Sequence, residues 1–393
     1  MTLRVLCITP WFPQHREDQM GNFIFDSVEA LSKQDCKVFT AVTHSIKSSN
    51  VFEALLKKHD FSLCQFLPKV EVKNIYYWSI PRNYIRHLSN ILYRKTVKDR
   101  LVKFVKQYKI DIVHAHTEIA GLAAMDIGIE TNTPWVVSIH GSNRAKGLLK
   151  NKTHEQDIKK MLRSANKVLL VGKPIWKEFS DIASSDTNFR ILFNGVRLKK
   201  AKKELSILSN DIVKFISVSN LHKEKGVDVT LSVLARLKNE GYGCWQYDVI
   251  GDGYQRDELE SLARQFGLKN HVKFHGAMNH DEVLENLTKA DVFVLPSYRE
   301  AFGVAYLEAM ASGLLTVAVE EQGASGFIIH NKSGLLVKPR NSESLYKCLK
   351  RTFDEQDLLR KMAKTGQNHV YNDFSWSNHA NKLMQIYESL LVR

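Results

Sequence analysis

Apolar positions in the first two hundred residues fall in short, nearly continuous runs, and stretches with helical spacing separate these runs. The runs are LRVLCIT, KVFTAVT, DIVHAH, WVVSIH, KVLLVG and FRILFN, and NFIFDSVEALSKQ is one of the helical stretches. Short apolar strands that alternate with helices are typical of a parallel sheet covered on both faces. The pattern therefore predicts a doubly wound α/β domain in this half.

The second half of the chain repeats this plan. Its predicted strands are VKFISVS, QYDVIG, HVKFHG, DVFVLPS and LLTVAV, and its predicted helices are GVDVTLSVLARLKNEG, QRDELESLARQFG, HDEVLENLTKA and GVAYLEAMAS. The charged segment 196–211 lacks periodicity and separates the halves. We predict two Rossmann-like domains, 1–197 and 198–372, followed by a C-terminal helix, 373–393, that crosses back to the first domain.

Composition favours a cytoplasmic protein. No run of 18 apolar residues predicts a membrane-spanning helix, and the first residues read as a strand rather than a signal peptide. The 5 cysteines are scattered and odd in number, which fits reduced thiols and argues against a disulfide framework.

Charge divides the chain into two unlike halves. All of the net charge of +14 falls in residues 1–200, whereas acidic and basic residues balance in residues 201–393. The segment Arg82–Lys109 is the most basic and has helical periodicity, with Ile85, Leu88, Leu92 and Leu101 among its apolar positions. Such a helix can lie on an anionic membrane surface or present a solvated face, and we expect the membrane, into which these four apolar residues could insert shallowly. Nucleic-acid binding is not expected, because no motif for it accompanies the charge.

A pair of glutamates, Glu300 and Glu308, surrounds a glycine at the start of a predicted helix. Ligands of open parallel sheets bind beyond the carboxyl ends of the strands, and DVFVLPS is such a strand. The first N–H groups of the helix, at Gly303, Val304 and Ala305, suit a phosphate. Glu300 could then bind a sugar and Glu308 a ribose, although surface glutamates near a helix start would give the same pattern.

A central motif and nine others in order resemble the retaining glycosyltransferases of family 4, which have the two-domain GT-B fold with its domains facing a cleft. The central motif is E-A-F-G-x4-E-A-M-A-x-G, beginning at Glu300. The others are MGNFIFDSVEAL (20–31), DIVHAHTEIAG (111–121), WVVSIHGSN (135–143), ILFNGV (191–196), HKEKGVD (222–228), VIGDGYQRDEL (249–259), VKFHGAM (272–278), ADVFVLPS (290–297) and SGLLVKP (333–339).

The resemblance implies a role for each matching residue. Glu308 would bind the ribose hydroxyls, and Glu300 with the backbone at Phe302–Val304 would bind the donor sugar. Lys225 would neutralise the diphosphate, and His140 would contact the donor sugar near the reacting carbon. The remaining implied contacts are a loop at Gly21 that closes over the phosphate and a turn containing His275 and Ala277 that cradles the base.

Two positions depart from the family pattern. Asn220, which we expect at the donor site, follows Ser219 where family members commonly have Gly-Arg, so one positive charge is missing. Lys225 or Lys223 could compensate. Gly326 lies where many members have an acidic residue.

Three further patterns have weaker interpretations. His114 and His116 alternate on one strand, which allows a metal site, but no third ligand is evident and we predict no metal. GDG at residues 251–253 lacks the full dinucleotide-binding fingerprint, so no cofactor is expected. The aromatic residues of segment 74–84 could stack on sugars or bases, pack in the core or face a membrane.

The sequence therefore predicts a retaining, metal-independent transferase that uses a nucleotide sugar, with UDP favoured over GDP or ADP. The expected acceptor is a saccharide or a polyprenyl-linked glycan of a bacterial surface polysaccharide, at the cytoplasmic face of the membrane. Two alternatives are sugar-nucleotide epimerisation, for which no extra cluster of carboxylates and histidines is visible, and a basic nucleic-acid-binding protein.

Overall fold

The computed structural model describes residues 2–15, 18, 21–46, 61, 64, 67–79, 86–141, 152–183, 188–198 and 212–391. The chain divides into two compact units. The N-terminal unit consists of Met1–Gly195 and Trp376–Arg393, and the C-terminal unit is Val196–Ser375. These divisions lie within three residues of the boundaries expected from the sequence. Most of the expected linker, residues 199–211, lies outside the described residues.

The described residues of the N-terminal unit form a seven-stranded parallel sheet in the order β3-β2-β1-β4-β5-β6-β7. The strands are β1 (Leu3–Thr9), β2 (Cys36–Ile46), β3 (Val70–Trp78), β4 (Ile112–Ala115), β5 (Trp135–Ile139), β6 (Lys167–Leu170) and β7 (Phe189–Ile191). The helices that follow them are α1 (Asn22–Ser32), α2 (Arg86–Tyr108), α3 (Glu118–Thr131), α4 (Lys152–Ser164), α5 (Lys173–Glu178) and α6 (Ser180–Ala183). The direction of strand order reverses between β1 and β4, which is where ligands bind in such sheets.

Strand β3 was not predicted from the sequence, although it contains part of the aromatic segment 74–84. It is an edge strand that pairs with β2 in parallel. Along it, Ile75 is buried while the Trp78 side chain is 56% exposed. Residues 80–85 of that segment lie outside the described residues.

Helix α2 presents its apolar stripe to the protein core. Val97 and Leu101 are fully buried, so the prediction that Leu101 could insert into a membrane is wrong. The reason is that a helix packed on a sheet must bury its apolar face there. The exposed side contains Leu88 and Ile91, which are 39% and 44% exposed. Ile85 lies outside the described residues.

Within the described residues, no helix is both long enough and apolar enough to cross a membrane.

The described part of the C-terminal unit contains a second parallel sheet, in the order β10-β9-β8-β11-β12-β13. Its strands are β8 (Val213–Val218), β9 (Trp245–Ile250), β10 (Val272–Gly276), β11 (Val292–Val294), β12 (Leu315–Val319) and β13 (Leu335–Val337). Its helices are α7 (Val227–Asn239), α8 (Arg256–Gln265), α9 (His280–Leu287), α10 (Val304–Ala311), α11 (Ser342–Asp354) and α12 (Gln356–Asp373). The five predicted strands are present, and β13 is additional. The order reverses between β8 and β11.

The final helix, α13 (Trp376–Leu391), belongs to the N-terminal unit. Its apolar residues Ala380, Leu383 and Tyr387 are fully buried in the core formed with β1, β2 and α1. Two hydrogen bonds also attach it: His379 Nε2 lies 3.1 Å from Ser27 Oγ, and His379 Nδ1 lies 2.8 Å from the Phe193 carbonyl oxygen. The first fold unit is therefore completed by residues far along the chain.

Candidate active site

The two glutamates of the central motif lie on either side of the start of α10. Gly303 caps this helix with φ 92°, a left-handed conformation that favours glycine. A Cβ atom at Gly303 would lie 2.5 Å from the Tyr306 ring and 3.2 Å from Glu300 Cγ. The turn therefore requires glycine, and this keeps the first N–H groups of α10, at Val304 and Ala305, beside Glu300.

Glu300 is held by three groups from two other loops. Lys225 Nζ lies 2.8 Å from Glu300 Oε2, and both side chains are mostly buried. The Glu300 N–H donates to Gln322 Oε1 at 3.1 Å, and the Gly323 N–H donates to the Glu300 carbonyl at 2.9 Å. The backbone of Gly323 also packs closely on that of Phe302, since a Cβ at Gly323 would lie 2.5 Å from Phe302 N. These contacts fix the backbone and the carboxylate together.

Glu308 forms a second fixed carboxylate, one turn into α10. It is buried, and its Oε1 lies 2.8 Å from His280 Nε2. His280 is the first residue of α9, whose start is set by a capping box between Asn279 and Glu282. The sequence interpretation missed both His280 and Gln322. For His280 a signal was available, because Asn279 and Glu282 have capping-box spacing.

The expected base-binding turn follows β10. His275 Nε2 lies 2.6 Å from Asp248 Oδ1 on β9, so the imidazole is held toward the sheet. Gly276 has φ 79°, and its carbonyl accepts a hydrogen bond from the Gly251 N–H at 2.8 Å. Ala277 is exposed. The turn thus presents mainly backbone groups to solvent, which suits a flat ring.

The loop after β8 contains the departure from the family pattern. Asn220 is exposed, and its carbonyl accepts a hydrogen bond from the His222 N–H at 2.8 Å. The same loop leads to Lys225, and the Tyr298 N–H donates to the Glu224 carbonyl at 3.0 Å. This backbone contact ties the Lys225 loop to the Glu300 loop. Lys225 is therefore held beside Glu300, at the loop that also contains Asn220.

In the N-terminal unit, Gly21 and His140 are connected through Phe23. Gly21 has φ 89° and precedes α1, and a Cβ there would lie 2.7 Å from the Trp11 carbonyl. The Phe23 ring packs against the His140 ring with centroids 4.6 Å apart. His140 follows β5, and its Nε2 lies 3.2 Å from His116 Nδ1, after β4. Gly21, His116 and His140 follow β1, β4 and β5, and the first two of these strands flank the switch point of the sheet.

Burial keeps His116 and His140 neutral. The pKa of His140 is held well below its ordinary value by burial and by the nearby His116 and His379. Burial, with a smaller effect of His379, lowers the pKa of His116 to about 3. A neutral imidazole can donate one hydrogen bond and accept another, which suits contacts with hydroxyl groups.

Cys7 adds a third candidate ligand to the His114 and His116 pair, which the sequence spacing did not reveal. Ligand atoms of the three residues lie within 4.8 Å of one another. However, His114 Nδ1 lies 2.6 Å from Tyr387 Oη and His114 Nε2 lies 2.8 Å from Ser138 Oγ, so both ring nitrogens have partners. Burial also raises the pKa of the Cys7 thiol, and a metal ligand must be deprotonated. The cluster therefore fits a hydrogen-bonded core better than a metal site.

The predicted residues thus form two groups, one in each unit. Gly21 and His140 belong to the N-terminal unit. The C-terminal unit brings together, at the carboxyl edge of its sheet, Asn220, Lys225, His275, Ala277, Glu300, Phe302, Gly303, Val304, Ala305 and Glu308.

Two family models match this chain. The model described as Glycosyltransferase Family 4 matches residues 20–200, and the model described as Glycosyl transferases group 1 matches residues 199–369. An uncharacterized glycosyltransferase of Methanocaldococcus jannaschii is 26% identical over 297 residues, which are 71% of this chain and 75% of the relative. The amylovoran biosynthesis glycosyltransferase of Erwinia amylovora is 27% identical over 244 residues, 60% of each chain.

The fold is shared with solved structures. HepE of Anabaena, in complex with UDP, has a TM-score of 0.75 with 17% identity and covers 98% of this chain and 100% of its own. Two Rossmann-like units with this match define a glycosyltransferase with the GT-B fold. With both of its units matched by glycosyltransferase models, the chain belongs to the family 4 glycosyltransferases.

Proposed function

We propose that the protein transfers a sugar from a UDP-sugar to a saccharide or lipid-linked acceptor with retention of configuration at the anomeric carbon. The observation that carries this proposal is the pair of fixed carboxylates at the start of α10, with Lys225 bonded to Glu300. Helix N–H groups and a lysine suit the leaving diphosphate, and Glu308 suits vicinal ribose hydroxyls.

The retaining mechanism is supported by the surroundings of Glu300. Its carboxylate is paired with Lys225, and its backbone is fixed on both sides, so it is suited to position the sugar rather than to act as a free nucleophile. In our proposal the acceptor attacks on the face from which the diphosphate leaves. The chain's lysine and helix dipole stabilise that leaving group without an obligatory metal.

UDP is the proposed nucleotide. The turn at His275–Ala277 offers backbone groups rather than a distinctive set of side chains, so the preference comes from similarity to HepE, which has been crystallised with UDP. The proposed setting is polysaccharide assembly, because the Erwinia amylovora relative is named for amylovoran biosynthesis.

The N-terminal unit is proposed to bind the acceptor and to dock on an anionic membrane. Ile91 on α2 and Ile129 on α3 line one surface groove, and Ile129 is 69% exposed. Lys95 also lines this groove and is exposed. By contrast, Arg94 and Lys98 are bonded to Asp126 and Glu130, so their charges are partly neutralised. An apolar patch beside an exposed lysine suits the headgroup region of a membrane.

A thermal-unfolding panel tests the donor assignment. UDP, GDP, ADP and their glucose conjugates are added in excess, with and without EDTA. A ligand at one hundred times its Kd stabilises the folded state by about 2.7 kcal/mol. UDP and UDP-glucose should raise the unfolding midpoint, and EDTA should not remove the shift. Stabilisation by GDP alone would exclude the base assignment.

Product analysis tests the reaction. NMR of the glycosylated acceptor should show the same anomeric configuration as the donor. If the product is an epimer of the nucleotide sugar and no sugar is transferred, the reaction is epimerisation. A glycosylated acceptor with inverted anomeric configuration would exclude the retaining mechanism.

A further inference from the structure

Three imidazole rings of the N-terminal unit form a continuous stack that ends at His140. The ring centroids of His114 and His116 are 4.1 Å apart, and those of His116 and His140 are 5.5 Å apart with an interplanar angle of 14°. The ring of Phe23 packs on His140 at 4.6 Å. His140 is therefore held between two rings, and its orientation depends on both.

The far end of the stack is anchored by hydrogen bonds. His114 uses both nitrogens, one with Tyr387 Oη at 2.6 Å and the other with Ser138 Oγ at 2.8 Å. Tyr387 itself is fully buried on α13. Because His114 is fixed and has no nitrogen left, it supports His116 by ring contact alone. Within the stack, the hydrogen bond of His116 to His140 is then the one polar contact that can set the tautomer of His140.

That bond contains one proton shared by two neutral rings. His116 Nδ1 and His140 Nε2 are 3.2 Å apart, so one nitrogen must donate and the other accept. Each ring then has one further nitrogen, His116 Nε2 and His140 Nδ1. Both atoms are buried and have no hydrogen-bond partner among the residues that the structure describes. The direction of the shared bond decides which of them holds a proton.

The two possible directions of the hydrogen bond between His116 and His140 have different consequences once a substrate oxygen binds at His140 Nδ1. They leave His116 Nε2 either with a proton and no acceptor or with only a lone pair. If His140 donates to His116, then His116 keeps an N–H at Nε2 that is buried without an acceptor. If His116 donates to His140, then His116 keeps only a lone pair there, and His140 has its proton at Nδ1. Orphaned buried N–H groups are rarer in proteins than under-satisfied acceptors. The second direction is therefore favoured.

We propose that His116 is a positioning residue that donates its Nδ1–H to His140 Nε2. This bond fixes His140 as the tautomer with a proton on Nδ1, and that Nδ1–H donates a hydrogen bond to an oxygen of the bound substrate. The inference rests on the proposed function only in giving His140 a substrate to contact. The low pKa values of both histidines agree with two neutral rings across the physiological range.

The tautomer is measured with UDP-glucose in excess, because without a substrate oxygen both directions of the bond leave one buried N–H without a partner. In the full-length protein labelled with ¹⁵N-histidine, long-range ¹H–¹⁵N spectra at pH 7 distinguish a protonated Nδ1 from a protonated Nε2. The His140 signal is assigned by its loss in His140→Asn. The wild type should show a protonated Nδ1. A protonated Nε2 at His140 would overturn the proposal.

Two nearly isosteric substitutions separate hydrogen bonding from packing. The amide of His116→Asn can place a donor close to the position of the imidazole Nδ1, whereas His116→Leu has a similar shape without a donor. His116→Leu should lose the preference for a protonated Nδ1 at His140, and His116→Asn should keep it. With UDP-glucose, release of UDP should show a kcat about tenfold or more below wild type for His116→Leu, with little change in KM, and recovery in His116→Asn. Equal spectra and equal kcat for the two variants would overturn the proposal.

A matched control addresses loss of stability. His379 is a buried, hydrogen-bonded histidine of the same unit that has no hydrogen bond to His140 in the described structure. His379→Leu should lower the unfolding midpoint about as much as His116→Leu but leave the His140 tautomer unchanged. If His140→Asn retains full turnover, the role of His140 in the proposed function fails, whereas the tautomer measurement still decides the role of His116.

Discussion

Lys225 Nζ lies 2.8 Å from Glu300 Oε2, so the cation expected to bind the donor diphosphate is already paired with the carboxylate expected to bind the donor sugar. The two side chains are only 19% and 16% exposed, which makes the pair stronger than one at the surface. The Lys225 ammonium has three donors, so a diphosphate could share it with Glu300, and we expect the negative charge of Glu300 to oppose that second anion.

This charge opposition predicts opposite effects on UDP binding for the two partners. Lys225→Ala should weaken UDP binding about tenfold to a hundredfold, because a charge-assisted hydrogen bond is lost. Glu300→Gln should bind UDP several-fold more tightly, because an opposing negative charge is removed, while turnover of UDP-glucose falls on the order of a hundredfold. Calorimetric titration and UDP release measure the two quantities. Glu285→Gln, which removes the partner of the exposed Lys289, is the control and should change neither. Weaker UDP binding in Glu300→Gln would contradict the charge opposition.

Gly303 and Gly241 provide a matched pair for testing the turn before α10. Both have positive φ, 92° and 96°, but a Cβ at Gly241 would meet nothing within 4 Å. Gly241→Ala should lower the free energy of unfolding by about 1–2 kcal/mol through backbone strain alone. Gly303→Ala adds overlap with the Tyr306 ring and should lower it on the order of 3 kcal/mol, with loss of UDP binding. Urea unfolding and titration measure both effects. Equal losses of stability would mean that the turn relaxes around the new methyl group.

Buried histidines predict a loss of stability in mild acid. Burial lowers the pKa of His379 to about 4, against roughly 6.5 in an unfolded chain. Between these values the unfolded state binds more protons than the folded state, so the free energy of unfolding decreases as pH falls from 6.5 toward 4. His379→Asn should reduce this slope by up to about 1.4 kcal/mol per pH unit. Urea unfolding at pH 7 and pH 5 measures the difference. His15→Asn, at an exposed site, is the control, and an unchanged slope in His379→Asn would refute the prediction.

Membrane docking can be tested on lysines that form no ion pair with any residue the structure describes. Lys95 and Lys103 are exposed on α2, whereas reversing Arg94 or Lys98 would also break ion pairs with α3. Lys95→Glu/Lys103→Glu should reduce co-sedimentation with anionic liposomes at low salt by about tenfold, because each basic residue near the surface contributes roughly 1 kcal/mol. The control is Lys332→Glu/Lys361→Glu, which makes the same change in net charge at exposed positions of the C-terminal unit. Equal binding of the two double variants to the liposomes would show that the docking surface does not lie on α2.

The sequence predicted the elements whose signal is local. Gly303 and the spacing of Glu300 and Glu308 identify the start of α10, because a glycine turn before an apolar helix is readable along the chain. Partners from other loops were not readable. Gln322 reaches Glu300 from the loop after β12, and no spacing rule connects the two positions.

The prediction for α2 was wrong at Leu101 because the same sequence pattern is found in two different environments. The basic helix α2 has an apolar stripe, and a membrane or a sheet can bury such a stripe equally well. Leu101 faces the sheet core, while the exposed apolar side of α2 is extended by Ile129, from a different helix. Strand β13 has three residues, too few to show any period. The roles assigned to individual residues in binding and catalysis remain predictions.

The placement of α13 in the N-terminal unit has a consequence for biosynthesis. A ribosome makes residues 196–375 of the C-terminal unit before it makes the helix that covers β1 and α1. Synthesis of the N-terminal unit therefore begins before that of the C-terminal unit but ends after it. This differs from the usual order, in which each domain folds as it emerges. Until Ala380, Leu383 and Tyr387 arrive, the apolar surface that they cover is open to solvent and to chaperones. Termination between Ser375 and Ala380 would therefore leave a complete C-terminal unit attached to an N-terminal unit whose core is uncovered.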